Sequence, residues 1–268
     1  MIAAAFRRWK HARRFARASA EIMARDIAPR PHGLAAPLVV SLTSYPARFP
    51  NLHLVLRSLL AQTLRPDRVI LWLTRDDAAR LPDSARLPGL EIAICPDWRS
   101  YKKIVPTLLE VPDANIVTAD DDVYYHADWL ETLVARADAG VVAHRAHRVT
   151  LQDGRPRDYD DWQRNIATPE TGPLIFPTGV GGVFYAAGVF HEDVTDVARF
   201  QELAPLADDV WLYWMHRLRG SAPAKIGGRF RITEWPGTQV QNLRSGNLGG
   251  DGNDRAVRAM LGRYGWPG

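Results

Sequence analysis

Cysteine is almost missing from this chain: Cys95 stands alone among 268 residues. One thiol cannot close an internal disulfide, and its place in an apolar, strand-like run reads as a buried structural group. A cytoplasmic setting is the expectation that follows. No apolar run approaches the ~20 residues that a bilayer span requires. The N-terminus has no uninterrupted apolar core of the secretory kind. There is no P-loop pattern and no nucleophile elbow, and no internal repeat. Net charge is low as well, at +4, but it is unevenly placed. Residues 1–30 hold eight cations (Arg7, Arg8, Lys10, Arg13, Arg14, Arg17, Arg25 and Arg30) against Glu21 and Asp26. That stretch is therefore +6 and the remainder −2. A basic excess confined to one end argues against a nucleic-acid partner.

What is present reads as an N-terminal helix followed by alternating strands and helices. Residues 1–28 are rich in Ala and Arg, both strong helix formers, with Phe6, Trp9, Phe15, Ile22 and Met23 among them. A basic helix carrying aromatics suits an anionic membrane surface, at the inner face if the protein is cytoplasmic. A solvated arm is the alternative. Pro29, Pro31, Gly33 and Pro37 form a linker. Strands are expected at Leu38–Leu42, Arg68–Thr74, Leu90–Cys95 and Ala114–Ala119, with helices between them. The first helix after the linker starts near Pro50 and carries Leu52, Leu56, Leu59 and Leu60 on one face. Such alternation implies an α/β fold with a mostly parallel, Rossmann-like sheet. Further on come a helix at Trp129–Val134, a strand at Val141–Ala143, a polar loop over residues 150–172 and a helix opening near Leu206. The expected division is residues 1–36 for helix and linker and 37–268 for one catalytic domain. Nucleotide binding is expected over 37–125 and acceptor binding over 126–268.

The stretch that organises the rest is Asn115–Tyr125. A short apolar run stops at three consecutive carboxylates, Asp120-Asp121-Asp122. Three like charges at one point repel, and burying them without partners is costly. A hard divalent cation relieves that cost. Ligands of open α/β sheets bind beyond the carboxyl ends of the strands, so the order is strand, metal, ligand. An acidic turn capping the next helix is the competing reading. A second acidic pair, Asp208-Asp209, opens a helix, where carboxylates also favour the helix dipole. Between them lies Gly179-Val180-Gly181-Gly182, which permits close backbone approach to a ligand or simply a tight turn before a strand.

In that order, Thr43-Ser44-Tyr45 with Arg48, then Lys103, Asp120-Asp121-Asp122, Gly181-Gly182 and Asp208-Asp209 resemble the GT-A-fold glycosyltransferases, in particular bacterial enzymes of surface-polysaccharide assembly. The likeness covers roughly residues 37–220. It implies a nucleoside-diphosphate-sugar donor and a glycan or lipid-linked acceptor. Thr43, Tyr45 and Arg48 would line the nucleotide pocket, and Lys103 would approach the nucleotide or its phosphates. Asp120 would contact ribose or metal, and Asp122 would bind Mn²⁺ or Mg²⁺. Asp121 would stand beside the donor but point elsewhere if the backbone stays extended. Gly181 and Gly182 would lie beneath a sugar. Asp209, with Asp208 close behind, would be the general base of an inverting displacement, with retention the alternative since one sequence does not fix the angle of attack.

Trp211 and Trp214 could offer a platform to sugar rings, although core packing is the commoner fate of helix tryptophans. The pattern departs from many metal-dependent members in one respect. His216 is the last histidine, so no C-terminal histidine ligand exists. Asn247, Asp251, Asn253 and Asp254 or water are the expected substitutes, while His144 and His147 are expected to be structural. Two rivals use the same residues. One is a nucleotidyltransferase or phosphohydrolase built on the acidic triplet. The other is a sugar- or membrane-binding module without turnover.

Overall fold

The computed structural model describes residues 2–235 and 252–268, with side chains from Trp9 onward. Its centre is an eight-stranded sheet. In chain order the strands are β1 (Leu38–Thr43), β2 (Arg68–Leu73), β3 (Glu91–Ile94), β4 (Asn115–Ala119), β5 (Val141–Ala143), β6 (Glu170–Thr171), β7 (Val183–Tyr185) and β8 (Ala224–Lys225). Across the sheet they run β6-β8-β5-β7-β4-β1-β2-β3. The β1–β2, β2–β3, β1–β4 and β5–β8 pairs are parallel. β7 runs antiparallel to both β4 and β5, and β6 antiparallel to β8. The α/β architecture with a mostly parallel sheet is therefore the observed one.

The helices are α1 (Ile2–Ala24), α2 (Phe49–Leu60), α3 (Arg75–Ala79), α4 (Val105–Glu110), α5 (Trp129–Val134), α6 (Val197–Leu203), α7 (Asp208–Leu218) and α8 (Gly252–Tyr264). Period-two alternation along β1 sends Leu38, Val40 and Leu42 to one face and Val39 to the other. On the first face they pack with α2, with Trp129, Leu130 and Leu133 of α5, and with Ala18 and Ile22 of α1. On the second, Ile116, Val141 and Val183 pack against Phe200, Val210, Trp211, Trp214, Val257 and Met260 of α6, α7 and α8. Each fully buried side chain of this size contributes about 2–3 kcal/mol of burial, so the sheet is held on both faces.

Boundaries differ slightly from the sequence reading. Thr74 is not strand: its hydroxyl caps α3 by accepting from the Asp77 amide. Leu90 and Cys95 flank β3 rather than belong to it. Cys95 is buried, and burial pushes its thiol up to about 11. α7 opens at Asp208 rather than near Leu206. Residues 150–172 are more ordered than a plain loop. Leu151–Gln152 pairs with Arg155–Pro156, and Trp162 is buried against Tyr159 and Phe176. The linker too is pinned, since Arg30–Pro31 pairs with Leu64–Arg65.

α1 does not stand clear of the body. Phe15 packs edge-on against Trp235 at 5.4 Å. The Arg25 guanidinium donates to the carbonyls of Ser58, Ala61 and Tyr125 at 3.2, 3.1 and 3.0 Å. No helix among the described residues is long and apolar enough to cross a membrane.

Candidate active site

Topology explains why residues remote in sequence meet. β1 and β4 are parallel neighbours with Leu42 beside Ala119, so the turn after each strand emerges at one edge. β7 runs the other way, with Val183 beside Thr118, so the glycine turn preceding β7 lies at that same edge. Main-chain bonds of residues 233–235 to 122–124 close it: the Trp235 amide donates to the Asp122 carbonyl at 3.0 Å and the Tyr124 amide to the Thr233 carbonyl at 2.9 Å.

The three carboxylates of the triplet point to three different partners. Asp120 Oδ2 accepts from the Gly181 amide at 3.1 Å. Burial, with Asp122 adding to it against the pull of Lys103, pushes Asp120 up to about 7. Asp121 Oδ2 accepts from the Ser44 hydroxyl at 2.6 Å. Burial pushes it up to about 6, opposed by Ser44. Asp122 is ion-paired with the buried Arg48 guanidinium. Burial alone would lower Arg48, but Asp122, the Tyr45 hydroxyl and Asp121 outweigh it and hold the group charged. Arg48 Nε donates to Tyr45 Oη at 3.1 Å, and the guanidinium lies 5.7 Å from the centre of the Tyr45 ring. Thr43 donates its hydroxyl to the Trp72 carbonyl at 2.8 Å, which ties it to the neighbouring strand.

The second acidic pair meets the first through the glycine turn and one lysine. The Gly179 amide donates to Asp209 Oδ1 at 2.9 Å. Thus Gly179 and Gly181, two residues apart, bond Asp209 and Asp120 respectively. Lys103 Nζ lies 3.0 Å from Asp208 Oδ2. Burial would lower Lys103, yet Asp208, Asp120 and Asp209 together hold it above its ordinary value. Burial first and Asp208 next push Asp209 up to about 6, against Lys103 and the Gly179 amide. That is the range of a carboxylate that is ionised near neutrality and still basic enough to take a proton.

The glycines serve packing inside the protein more than an open sugar face. A Cβ at Gly181 would meet the Phe230 ring at 2.6 Å. One at Gly182 would meet Trp129 at 2.5 Å and the Thr118 carbonyl at 2.8 Å. The glycine that bears on the chemistry is Gly179, where a Cβ would strike Lys103 Nζ at 2.6 Å and Asp209 Oδ1 at 2.9 Å. The sequence reading quoted Gly179 without selecting it. Ser44 likewise stands in the quoted Thr43-Ser44-Tyr45 motif without a role, and Arg145, whose Nη1 donates to Thr178 at 2.7 Å beside the glycine turn, is not in the sequence reading. No motif gives these residues their roles; only their contacts do.

Other expectations are corrected. Trp211 and Trp214 are fully buried, with indole N–H groups donating to the Val194 and Gly265 carbonyls, so neither offers a sugar platform. His216 is buried against Ser221 and pushed down to about 3 by burial and Arg217. His144 and His147, by contrast, are structural as expected: His144 bonds Thr132 at 3.1 Å, and His147 accepts from the Asn165 amide at 3.1 Å. Asp254 accepts from the Tyr159 amide at 2.6 Å and is tied to that turn rather than to the acidic edge. Asn253 lies in the first turn of α8. Gln239, Gln241, Asn242, Asn247, Gly249, Gly250 and Asp251 fall outside the described residues.

Among the described residues no three His, Cys, Asp or Glu side chains gather as a ready-made metal shell. The donor set nevertheless fits a hard cation. It is oxygen-only and half-buried, and burial raises Asp120 to about 7 even against the pull of Lys103. At Asp122 the guanidinium of Arg48 already stands as the opposing cation. Mg²⁺-type ions are commonly held by one or two carboxylates, the remaining positions filled by substrate phosphates and water.

Comparison with models of known protein families finds no match, and comparison with curated proteins finds none either. Among solved structures, a 4-diphosphocytidyl-2C-methyl-D-erythritol synthase matches at 13% identity and TM-score 0.44, over 84% of this chain and 100% of that one. The corresponding enzyme from Anaerococcus prevotii matches at 13% identity and TM-score 0.48, over 80% and 96%. The 1–349 fragment of TarS from S. aureus matches at 14% and 0.44, over 73% and 59%. At this distance the similarities bear on neither substrate nor reaction.

Proposed function

We propose that this protein transfers a sugar from a nucleoside-diphosphate donor to a hydroxyl of a glycan or lipid-linked acceptor, with inversion at the anomeric carbon. The observation that supports it most is the joining of two acidic groups at one sheet edge. Asp120 and Asp209 are bonded by amides of one glycine turn, and Lys103 lies against that turn. One group suits the leaving diphosphate and the other the incoming hydroxyl.

In the reaction the acceptor oxygen attacks the anomeric carbon as the bond from that carbon to the diphosphate oxygen breaks. The electron pair leaves with the diphosphate, and the acceptor proton passes to an oxygen of Asp209. The Gly179 amide fixes Asp209 Oδ1, which leaves Oδ2 to take the proton. Lys103, buried and charged, pairs with Asp208 beside the base. Arg48 and Tyr45 stand at the end of β1, where a diphosphate and base would enter. Asp122 and Asp120 would hold Mn²⁺ or Mg²⁺, which when bound neutralises charge that develops on the diphosphate. Because that charge grows toward the transition state, the stabilisation acts on rate rather than on binding alone.

Nucleotidyl transfer draws on the same acidic edge and the same two buried cations, so product analysis is the decisive test. Incubation with a panel of nucleotide sugars and a hydroxyl acceptor is expected to release nucleoside diphosphate in step with glycosylated acceptor. Release of pyrophosphate from a nucleoside triphosphate, with no sugar transferred, would replace this reading with nucleotidyl transfer.

A further inference from the structure

We propose that the outward face of α1 docks the protein on an anionic lipid bilayer, and that this contact holds the acidic edge at the bilayer surface, where a lipid-linked acceptor is reached. The second clause rests on the sugar-transfer reading; the docking does not.

α1 carries two apolar faces, and one of them packs into the core. Phe15, Ala18 and Ile22 turn inward onto the body. At ~100° per residue, Trp9, Ala16, Ala20 and Met23 fall on the opposite side. Trp9 is 51% exposed and Met23 57%, two of the largest exposed apolar groups on the described surface. Arg13 and Arg17 flank that stripe, Lys10 and Arg14 lie farther round toward the body, and all four are exposed. The Arg13 guanidinium lies 4.9 Å from the centre of the Trp9 ring. Between Trp9 and Ala24 the one carboxylate is Glu21, and it is engaged by Arg25 at 2.8 Å and by the Tyr124 hydroxyl at 2.8 Å. An apolar stripe with cations on its flank, carrying a tryptophan, matches a headgroup boundary: the ring and thioether enter, and the guanidinium groups stay with phosphates. A nucleic acid would use the cations but leave the stripe in water, so the bilayer is the partner that uses both.

The same helix is fastened to the acidic edge. Glu21 accepts from Tyr124 and Arg25 donates to the Tyr125 carbonyl at 3.0 Å, both tyrosines lying just past Val123, which follows the triplet. Phe15 packs on Trp235, whose amide donates to the Asp122 carbonyl. Whatever surface α1 lies on, the turn bearing Asp122 is held at a fixed offset from it.

The test is co-sedimentation of the full chain with vesicles of equal parts phosphatidylglycerol and phosphatidylcholine, against vesicles of phosphatidylcholine alone. The protein is expected to pellet with the first, to stay in solution with the second, and to be released by raised salt. The pair Arg13→Glu, Arg17→Glu should weaken partition on the order of a hundredfold. The pair Trp9→Ser, Met23→Ser should weaken it roughly tenfold. Melting temperature and turnover of a water-soluble acceptor should be unchanged in both variants. Absence of wild-type binding to the anionic vesicles overturns the proposal. So does charge-reversal sensitivity with the Trp9 and Met23 pair behaving as wild type, since the stripe would then play no part. If sugar transfer itself is wrong, turnover fails with every donor while vesicle binding stands.

Discussion

Replacing Lys103 with methionine probes how the two acidic groups are held together. Methionine keeps the length and apolar stem and removes the charge. At 3.0 Å from Asp208, and with an effective dielectric of ~20, the pair attracts by about 5–6 kcal/mol before desolvation is counted. Desolvating the lysine offsets part of that. The loss on breaking one side of such a buried pair is ~3–5 kcal/mol, because the carboxylates stay buried without their cation. With ~2.1 cal/mol/K of unfolding entropy per residue, a chain of 268 residues has about 0.6 kcal/mol/K, so ~4 kcal/mol lowers Tm by about 7 °C. Urea and thermal unfolding followed by circular dichroism would read this directly. The companion Lys103→Met, Asp208→Asn double variant should lose less than the two single losses added, with a coupling of about 2–3 kcal/mol. If Lys103→Met melts with the wild type and the cycle closes to zero, Lys103 is not the cation that holds these acids, and the site geometry derived from it fails.

Asp209→Asn should reduce transfer by roughly 10²–10⁴-fold while nucleotide binding is retained; loss of both would make Asp209 structural. Because the base must be unprotonated and stands at about 6, kcat/KM in the wild type should fall about tenfold per pH unit below that value and level off above it. A profile flat down to pH 4 would remove Asp209 from the proton transfer. Gly182→Ala combines a φ of +88° with a Cβ at 2.5 Å from Trp129 and 2.8 Å from a carbonyl, and should cost at least ~3 kcal/mol. Gly188→Ala, at φ +70° with nothing within 4 Å, should cost only about 1–2 kcal/mol. Equal losses at the two positions would mean that close packing at Gly182 is not what requires glycine there.

The strands could be read from the sequence because their burial is two-sided and their residues β-branched, as in Val39, Val40, Ile70, Ile116 and Val117. The acidic triplet could be read because carboxylates at the end of a buried strand need a physical reason. What could not be read were the partners. Nothing in the spacing of Arg48 and Asp122 says that they pair, and nothing local to Gly182 announces Trp129. Gly179 looked no different from Gly181, yet it alone lies against both Lys103 and Asp209. Trp211 and Trp214 could equally have faced a sugar or the core, because α7 is apolar on more than one side; the packing of α8 decides it. Arg145 carried no signal, since a single arginine after a strand is ordinary until Thr178 and the glycine turn are brought beside it.

The central claim is that the acidic edge holds a diphosphate through a divalent cation. Calorimetric titration with UDP and GDP, each with and without Mn²⁺, tests it most directly, in the wild type and in Asp122→Ala. The account predicts that one of the two nucleotides binds the wild type only when Mn²⁺ is present, and that Asp122→Ala abolishes this binding while its circular dichroism stays that of the wild type. Mn²⁺-independent binding, or binding left intact in Asp122→Ala, would contradict it.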